Sequence, residues 1–206
     1  WTGATPIYVD IEEETLNMDL RILESRITEK SKVIIVQHTF GNPAKIKEIL
    51  KIAEKHKLKV IEDCAHSLGA SVDNKLLGTF GDLAILSFGR EKVISGLTGG
   101  ALLVNDKGLE NAVEEQVRVL KPLSKRNIAK ELTNYFSWRL LFRKIYSKEW
   151  GASFIRHLYQ YDLFNVVTSK KELDGLRPNW YPSLMGNIFA RIILNEFPKI
   201  VSYNER

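Results

Sequence analysis

Three stretches of the chain hold residue types that could act together on one small molecule: VIEDCAHSLGA (60–70), GTFGDLAILSFGREK (78–92) and VISGLTGGALLVND (93–106). An acid, Asp63, closes the first apolar run. A hydroxyl, Ser87, and an amine, Lys92, follow the second, and glycines come after at Gly96, Gly99 and Gly100. Singly, each has an ordinary reading: Asp63 as a helix cap or ion-pair partner, Lys92 as a solvated amine, Ser87 and the glycines as turn residues. Together they are the set that pyridoxal 5'-phosphate requires. Its aldehyde needs a lysine amine, its ring nitrogen a carboxylate, and its phosphate hydroxyl and backbone donors. The expected roles are therefore Lys92 as the amine that carries the cofactor and Asp63 as the carboxylate that keeps its ring protonated. No metal enters this expectation.

Such residues meet only if the strands that carry them end at one edge. From Pro6 to Asp106, short β-branched runs alternate with amphipathic helices. Ile7-Tyr8-Val9 predicts a strand, and Leu20, Leu23 and Ile27 a helical face. Val33 to Val36 is apolar enough to predict a strand buried on both faces. A helix follows, with Ile46, Ile49, Leu50 and Ala53 at i, i+3, i+4, i+7 behind Pro43. Leu58 to Ile61 is the next strand, ending in Glu62-Asp63. Leu83 to Phe88 and Ala101 to Val104 are two more, and Leu109, Ala112, Val113, Val117 and Leu120 mark a further helix. This order predicts an α/β fold with a mostly parallel sheet flanked by helices and right-handed crossovers. Ligands in such sheets bind outside the carboxyl ends of the strands, where Asp63 and Ser87 fall.

From Lys121 to Val167 the texture changes to aromatics interleaved with basic residues such as Arg139, Arg143 and Lys144. Helices are expected there, then a loop at Asp174 to Pro182, then a helix from about Ser183 disturbed at Pro198. The first expectation for 121–167 is an inserted helical region whose aromatics pack a satellite core. Its second reading, less favoured, is a membrane-surface or partner-binding element.

With 44% hydrophobic and 27% charged residues among 206, disordered, collagen-like and coiled-coil classes are excluded. A net charge of +5 is too small to specify an anionic partner, and no nucleic acid is expected. The single cysteine, Cys64, cannot form an intramolecular disulfide, which fits a reducing compartment and a cytoplasmic location. No apolar run reaches the ~20 residues of a spanning helix. The chain opens on Trp1 without an initiator Met and ends within a helical pattern, so a fragment is expected.

The quoted stretches resemble the DegT/DnrJ/EryC1/StrS aminotransferases, or sugar aminotransferases. That family reads close to V-I-E-D-A-A-Q-A-x-G-A, then G-x-x-G-D-x-x-x-F-S-F, then K-N-L-x-x-G-E-G-G. The resemblance runs from about Gly3 to Asp106 and implies the large domain of a fold-type I pyridoxal-phosphate transferase. It places Asp63 on the ring-nitrogen partner, Ser87 on the phosphate serine and Lys92 on the cofactor lysine. His66 falls where the family often has a glutamine set against the ring. By the same resemblance 1–120 is the central part of the cofactor-binding domain, and 121–206 holds a helical insertion and the interdomain helix. An earlier phosphate loop and a later small domain lie outside the chain, which alone is expected to be inactive.

Departures are local. Leu97-Thr98-Gly99-Gly100 replaces Gly-Glu-Gly-Gly, Val93 replaces asparagine, and Pro182-Ser183-Leu184-Met185 stands for Asn-x-Arg-Met, with Asn187 as a weak substitute. The resemblance implies a homodimer that moves an amino group from an amino acid, glutamate first, to a keto sugar linked to a nucleotide. Two alternatives remain at this point: a diverged non-catalytic relative serving as regulator or assembly partner, and a pyridoxal-phosphate sugar dehydratase, against which Lys92 argues because dehydratases of this type carry histidine there.

Overall fold

The computed structural model describes residues 3–159, 174–175 and 182–200. They fall into two compact units, one of residues 5–118 with 188–200, the other of 3–4 and 119–187 as far as described.

The first unit is the α/β layer. Its helix α1 (Leu20–Arg26) starts where the Asp19 carboxylate accepts the Arg21 N–H at 2.9 Å, an N-cap that satisfies one of the helix's orphan donors. Strands β1 (Val33–Gln37), β2 (Lys59–Asp63), β5 (Leu83–Ser87) and β6 (Gly100–Val104) form one sheet in that order. β1, β2 and β5 run parallel, with Gln37 opposite Asp63 and Asp63 opposite Ile85. β6 returns antiparallel, setting Gly100 opposite Ser87. A two-residue hairpin, β3 (Ser71–Val72) and β4 (Lys75–Leu76), lies between β2 and β5 in sequence. Helices α2 (Ile46–Lys55) and α3 (Glu110–Arg118) complete the alternation.

The apolar periodicity of α2 buries Ile46, Ile49 and Ala53 against Leu23, Ile34, Val36 and Val60. The Leu, Ile and Val side chains among these each contribute about 1.5–3 kcal/mol when taken fully out of water. A smaller cluster of Cys64, Leu77 and Ala84 gathers Phe80 from the loop before β5, Leu86 from β5 and Leu103 from β6. At the head of β2, Lys59 bridges Asp82 at 2.8 Å and Asp106 at 2.6 Å, while Asp82 also accepts the Val60 N–H. These links tie the amino-terminal end of β2 to the residue before β5 and to the turn after β6.

Two expectations are corrected. Ile7-Tyr8-Val9 is not a strand: Ile7 and Tyr8 are exposed, and the nearest pairing is an isolated bridge between Ile11 and Met18. β-Propensity describes fit to a half-buried pleat, and this segment has no strand beside it among the described residues. β1 is buried on one face only, with Ile34 and Val36 inside and Val33 and Ile35 outside.

In the second unit, β7 (Lys121–Pro122) pairs in parallel with β8 (Ser183–Leu184). Helix α4 (Lys125–Ser137) starts at Ser124, whose hydroxyl accepts the Asn127 N–H, and runs through a π-helical turn (Trp138–Phe142) into α5 (Arg143–Tyr146). Helix α6 (Gly151–Leu158) follows. Only a glycine fits at 151, because a Cβ there would lie 1.8 Å from the Ile145 carbonyl oxygen. The expected satellite core is small: of the described aromatics after Lys121 and before β8, Phe142 alone is buried. The parts of the expected helices and loop at 160–173 and 176–181 lie outside the described residues.

The final helix, α7 (Asn187–Glu196), begins four residues later than expected because Ser183 and Leu184 are spent on β8, and Pro198 sits in a 3-10 turn as the sequence suggested. From Ile188 on it belongs with the α/β unit, where Phe189 and Ile193 are buried. Among the described residues no helix is long and apolar enough to cross a membrane.

Candidate active site

Asp63 is the last residue of β2 and Ser87 the last of β5, on neighbouring parallel strands, so both stand at the carboxyl edge of the sheet. There the chain leaves β5 in a tight turn: the Lys92 N–H donates to the Gly89 carbonyl at 3.3 Å, the Gly96 N–H to Phe88, and the Phe88 N–H to Gly99. This folds residues 88–99 back over the edge into β6. A Cβ on Gly89 would lie 3.8 Å from both the Lys92 Cγ and the Ser87 Oγ, so the amine stem and the hydroxyl flank the same glycine.

Of the four expected site residues, Ser87 and Lys92 are thus brought together, and Asp63 stands one strand away at the same edge. His66 lies three residues beyond Asp63, stacked at 5.7 Å on Phe40, which follows β1. Asp63 accepts the Ala65 N–H through Oδ1 at 3.0 Å. Its Oδ2, the Ser87 hydroxyl and the Lys92 amine have no hydrogen-bond partner among the described residues, and all three residues are half-buried. Asp82 and Asp106, by contrast, are committed to Lys59. An uncommitted carboxylate, hydroxyl and amine at one sheet edge are the donor set that pyridoxal phosphate takes, so these residues fit that cofactor.

Sequence reasoning passed over the best-satisfied polar group nearby. Side chains alternate along a strand, so Glu62 faces away from Asp63 and into the protein, where it is fully buried. Its Oε1 accepts the N–H groups of Phe80 and Gly81, both at 2.7 Å, and its Oε2 that of Gly78 at 2.9 Å. Buried His38 completes the set at 3.2 Å. The Ala44 N–H donates to His38 Nδ1, so Nε2 carries the proton and donates to Glu62. Burial pushes the Glu62 carboxyl upward, but His38 and the three N–H groups outweigh it and hold the carboxyl below its ordinary range. The only sign in the sequence was an acid inside a buried strand.

His38, Glu62 and Cys64 place their ligand atoms within 4.8 Å of one another. The oxygens and nitrogens there are already engaged in these bonds, and burial pushes the Cys64 thiol up to about 11, so it keeps its proton. The cluster is a hydrogen-bonded knot rather than a set of open metal ligands.

Leu97, which stands where the family motif has its first glycine, is buried with φ +71°, a left-handed conformation. That backbone costs a residue with a Cβ roughly 1–2 kcal/mol and glycine almost nothing. Truncating Leu97 loses its packing in either case. Leu97→Gly is therefore expected to be more stable than Leu97→Ala by about 1 kcal/mol in urea unfolding, reversing the usual order of these residues. If the alanine variant is the more stable, the loop is not strained at this position.

Comparison with known proteins gives a consistent picture. A model described as the DegT/DnrJ/EryC1/StrS aminotransferase family matches residues 1–137. GDP-perosamine synthase of Escherichia coli O157:H7 is 42% identical over 109 residues, covering 53% of this chain and 30% of that protein. A UDP-N-acetyl-3-dehydro-alpha-D-glucosamine 3-aminotransferase of Acidithiobacillus ferrooxidans is 27% identical over 205 residues, 100% of this chain and 42% of the relative. The crystal structure of DesI, solved in the presence of its TDP-sugar product, superposes with a TM-score of 0.55 at 30% identity, over 57% of this chain and 30% of that one. The chain thus spans less than half the length of each of these relatives.

Proposed function

Since the chain belongs to the DegT/DnrJ/EryC1/StrS aminotransferase family, whose cofactor is pyridoxal phosphate, we propose that the whole protein transfers an amino group to a keto sugar carried on a nucleotide, with glutamate as the donor. The observation that carries this reading is the placement of Asp63, Ser87 and Lys92 at one carboxyl edge, with Ser87 and Lys92 flanking Gly89. The relatives named for GDP-, UDP- and TDP-linked sugars support the acceptor class. The donor rests on the family resemblance alone.

When bound, the cofactor supplies an electron sink for the carbanion formed at the donor's α-carbon. The chain's own residues do the rest. Lys92 would hold the cofactor through its Nζ, and the same amine, when free, would take the donor's α-carbon proton as base and then give up a proton as acid. Asp63 Oδ2 would keep the ring nitrogen protonated, the Ser87 hydroxyl would donate to the phosphate, and the His66 imidazole would stand beside the ring. Sugar dehydration is the weaker reading because Lys92 is present. The test is covalent capture: borohydride reduction of the full-length protein with pyridoxal phosphate should leave the cofactor's mass on the peptide containing Lys92. Labelling elsewhere, or none, removes the assignment.

The same proposal includes a homodimer and the cytoplasm as its location. Light scattering on the full-length protein at micromolar concentration should give twice the chain mass, and a monomer would end the dimer claim.

A further inference from the structure

The second unit has two features that the candidate site leaves unused. One is charge. From Lys121 to Tyr159 there are nine Lys/Arg and two Glu, a balance of +7, whereas the whole chain is +5 and the other 167 residues therefore carry −2. The excess positive charge of the chain is concentrated in these helices.

The other feature is the direction of the apolar side chains. Asn134 and Phe142 are buried, and Trp138, itself 36% exposed, is tied to both: the Tyr159 hydroxyl donates to Asn134 at 2.7 Å, the Trp138 Nε1 donates to Tyr159 at 2.8 Å, and Phe142 packs edge-on to Trp138. Phe136 and Leu140 stand two residues beyond Asn134 and Trp138, roughly half a turn around the helix. They project from the opposite side and are 51% and 66% exposed. Leu141, also exposed, borders them on one flank, while Arg139, Arg143 and Lys144 are exposed across the same outward half. Trp150 and Phe154 add an exposed edge-to-face pair at 5.8 Å.

We propose that this outward face of α4, the π turn and α5 docks on an anionic lipid surface. A symmetric contact between two copies would set +7 against +7. A nucleic acid could use the cations and the aromatic faces, but it offers nothing to Leu140 and Leu141. An anionic bilayer uses both kinds of group: headgroups meet the Lys and Arg side chains, and the acyl boundary takes Phe, Leu and Trp. The inference is independent of the transferase proposal, since vesicle binding needs no cofactor.

The experiment sediments the chain with vesicles of phosphatidylcholine alone and of phosphatidylcholine mixed with phosphatidylglycerol. Pelleting is expected with the mixed vesicles only, and it should weaken as salt is raised. Each Lys or Arg near an anionic surface contributes about fivefold to partitioning. The triple charge reversal Arg139→Glu, Arg143→Glu, Lys144→Glu should therefore lower the partition coefficient on the order of a hundredfold or more. Phe136→Ser with Leu140→Ser should lower it about tenfold or more through lost apolar burial. Both variants alter exposed side chains and should melt as the wild type does. Equal pelleting of wild type and both variants, or no pelleting at low salt, overturns the proposal. So does a dimer that dissociates on Leu140→Ser, or binding to an oligonucleotide without binding to mixed vesicles.

Discussion

Replacing Lys92 by alanine in the full-length protein is expected to abolish covalent cofactor capture and lower transamination by about 10²–10⁴-fold or more, the range that a positioned proton-transfer group alone supplies. The loss would have two sources in one atom, since on this proposal Nζ both holds the cofactor and moves the proton. Asp63→Asn should behave differently. The asparagine carbonyl can still accept the Ala65 N–H that Asp63 Oδ1 now accepts, so the turn after β2 keeps its form. Capture at Lys92 should persist while turnover slows, because a neutral amide cannot hold the charge of a protonated ring nitrogen. Single-turnover assays on the two variants separate these effects. Wild-type turnover in Lys92→Ala would end the aminotransferase proposal.

The placement of the candidate residues at one sheet edge was legible because they close or follow strands that announce themselves by type. Asp63 and Ser87 sit at the ends of strongly apolar runs, which fix both the strand and the place where it stops, and Lys92 follows in the turn after the second. The strand expected at Ile7-Tyr8-Val9 failed because a three-residue propensity says nothing about whether a partner strand lies beside it. The one-sided burial of β1 could not be read either, since Val33-Ile34-Ile35-Val36 is apolar on both faces whichever face is covered. In the helical region, composition showed aromatics and cations but not their direction. The buried pair of Asn134 and Phe142 and the exposed pair of Phe136 and Leu140 become distinct only once the helix and its π turn set their phase. Most hidden of all was the role of Glu62. Its partners Gly78, Phe80 and Gly81 lie 16 to 19 residues away and use backbone N–H groups that no side-chain pattern reveals.

Glu62→Gln is expected to be among the most destabilising substitutions of a polar side chain in the α/β unit, although Glu62 touches no part of the proposed chemistry. The four donors that converge on the carboxylate are divided two and two between its oxygens: Phe80 and Gly81 on one, Gly78 and His38 on the other. A glutamine amide must put its NH2 on one side. Whichever side it takes, two buried donors then face a donor, and rotation only exchanges the pair that suffers. Breaking a fully buried, hydrogen-bonded charge typically costs about 3–5 kcal/mol, a large share of the roughly 5–15 kcal/mol that holds a domain together. The melting temperature should fall by about 10 °C or more, whereas Asp63→Asn should stay close to wild type. The pH dependence follows from the lowered Glu62 carboxyl. A carboxyl held below its ordinary value stabilises the fold fully above the unfolded pKa of about 4.3, and that contribution disappears as pH falls through the folded value. The gap between wild type and Glu62→Gln in urea unfolding should therefore be widest near neutral pH and narrow below about pH 4, because the amide does not titrate. A gap that stays constant down to pH 3, or a glutamine variant as stable as wild type at neutral pH, would show that the four donors do not depend on the charge they surround.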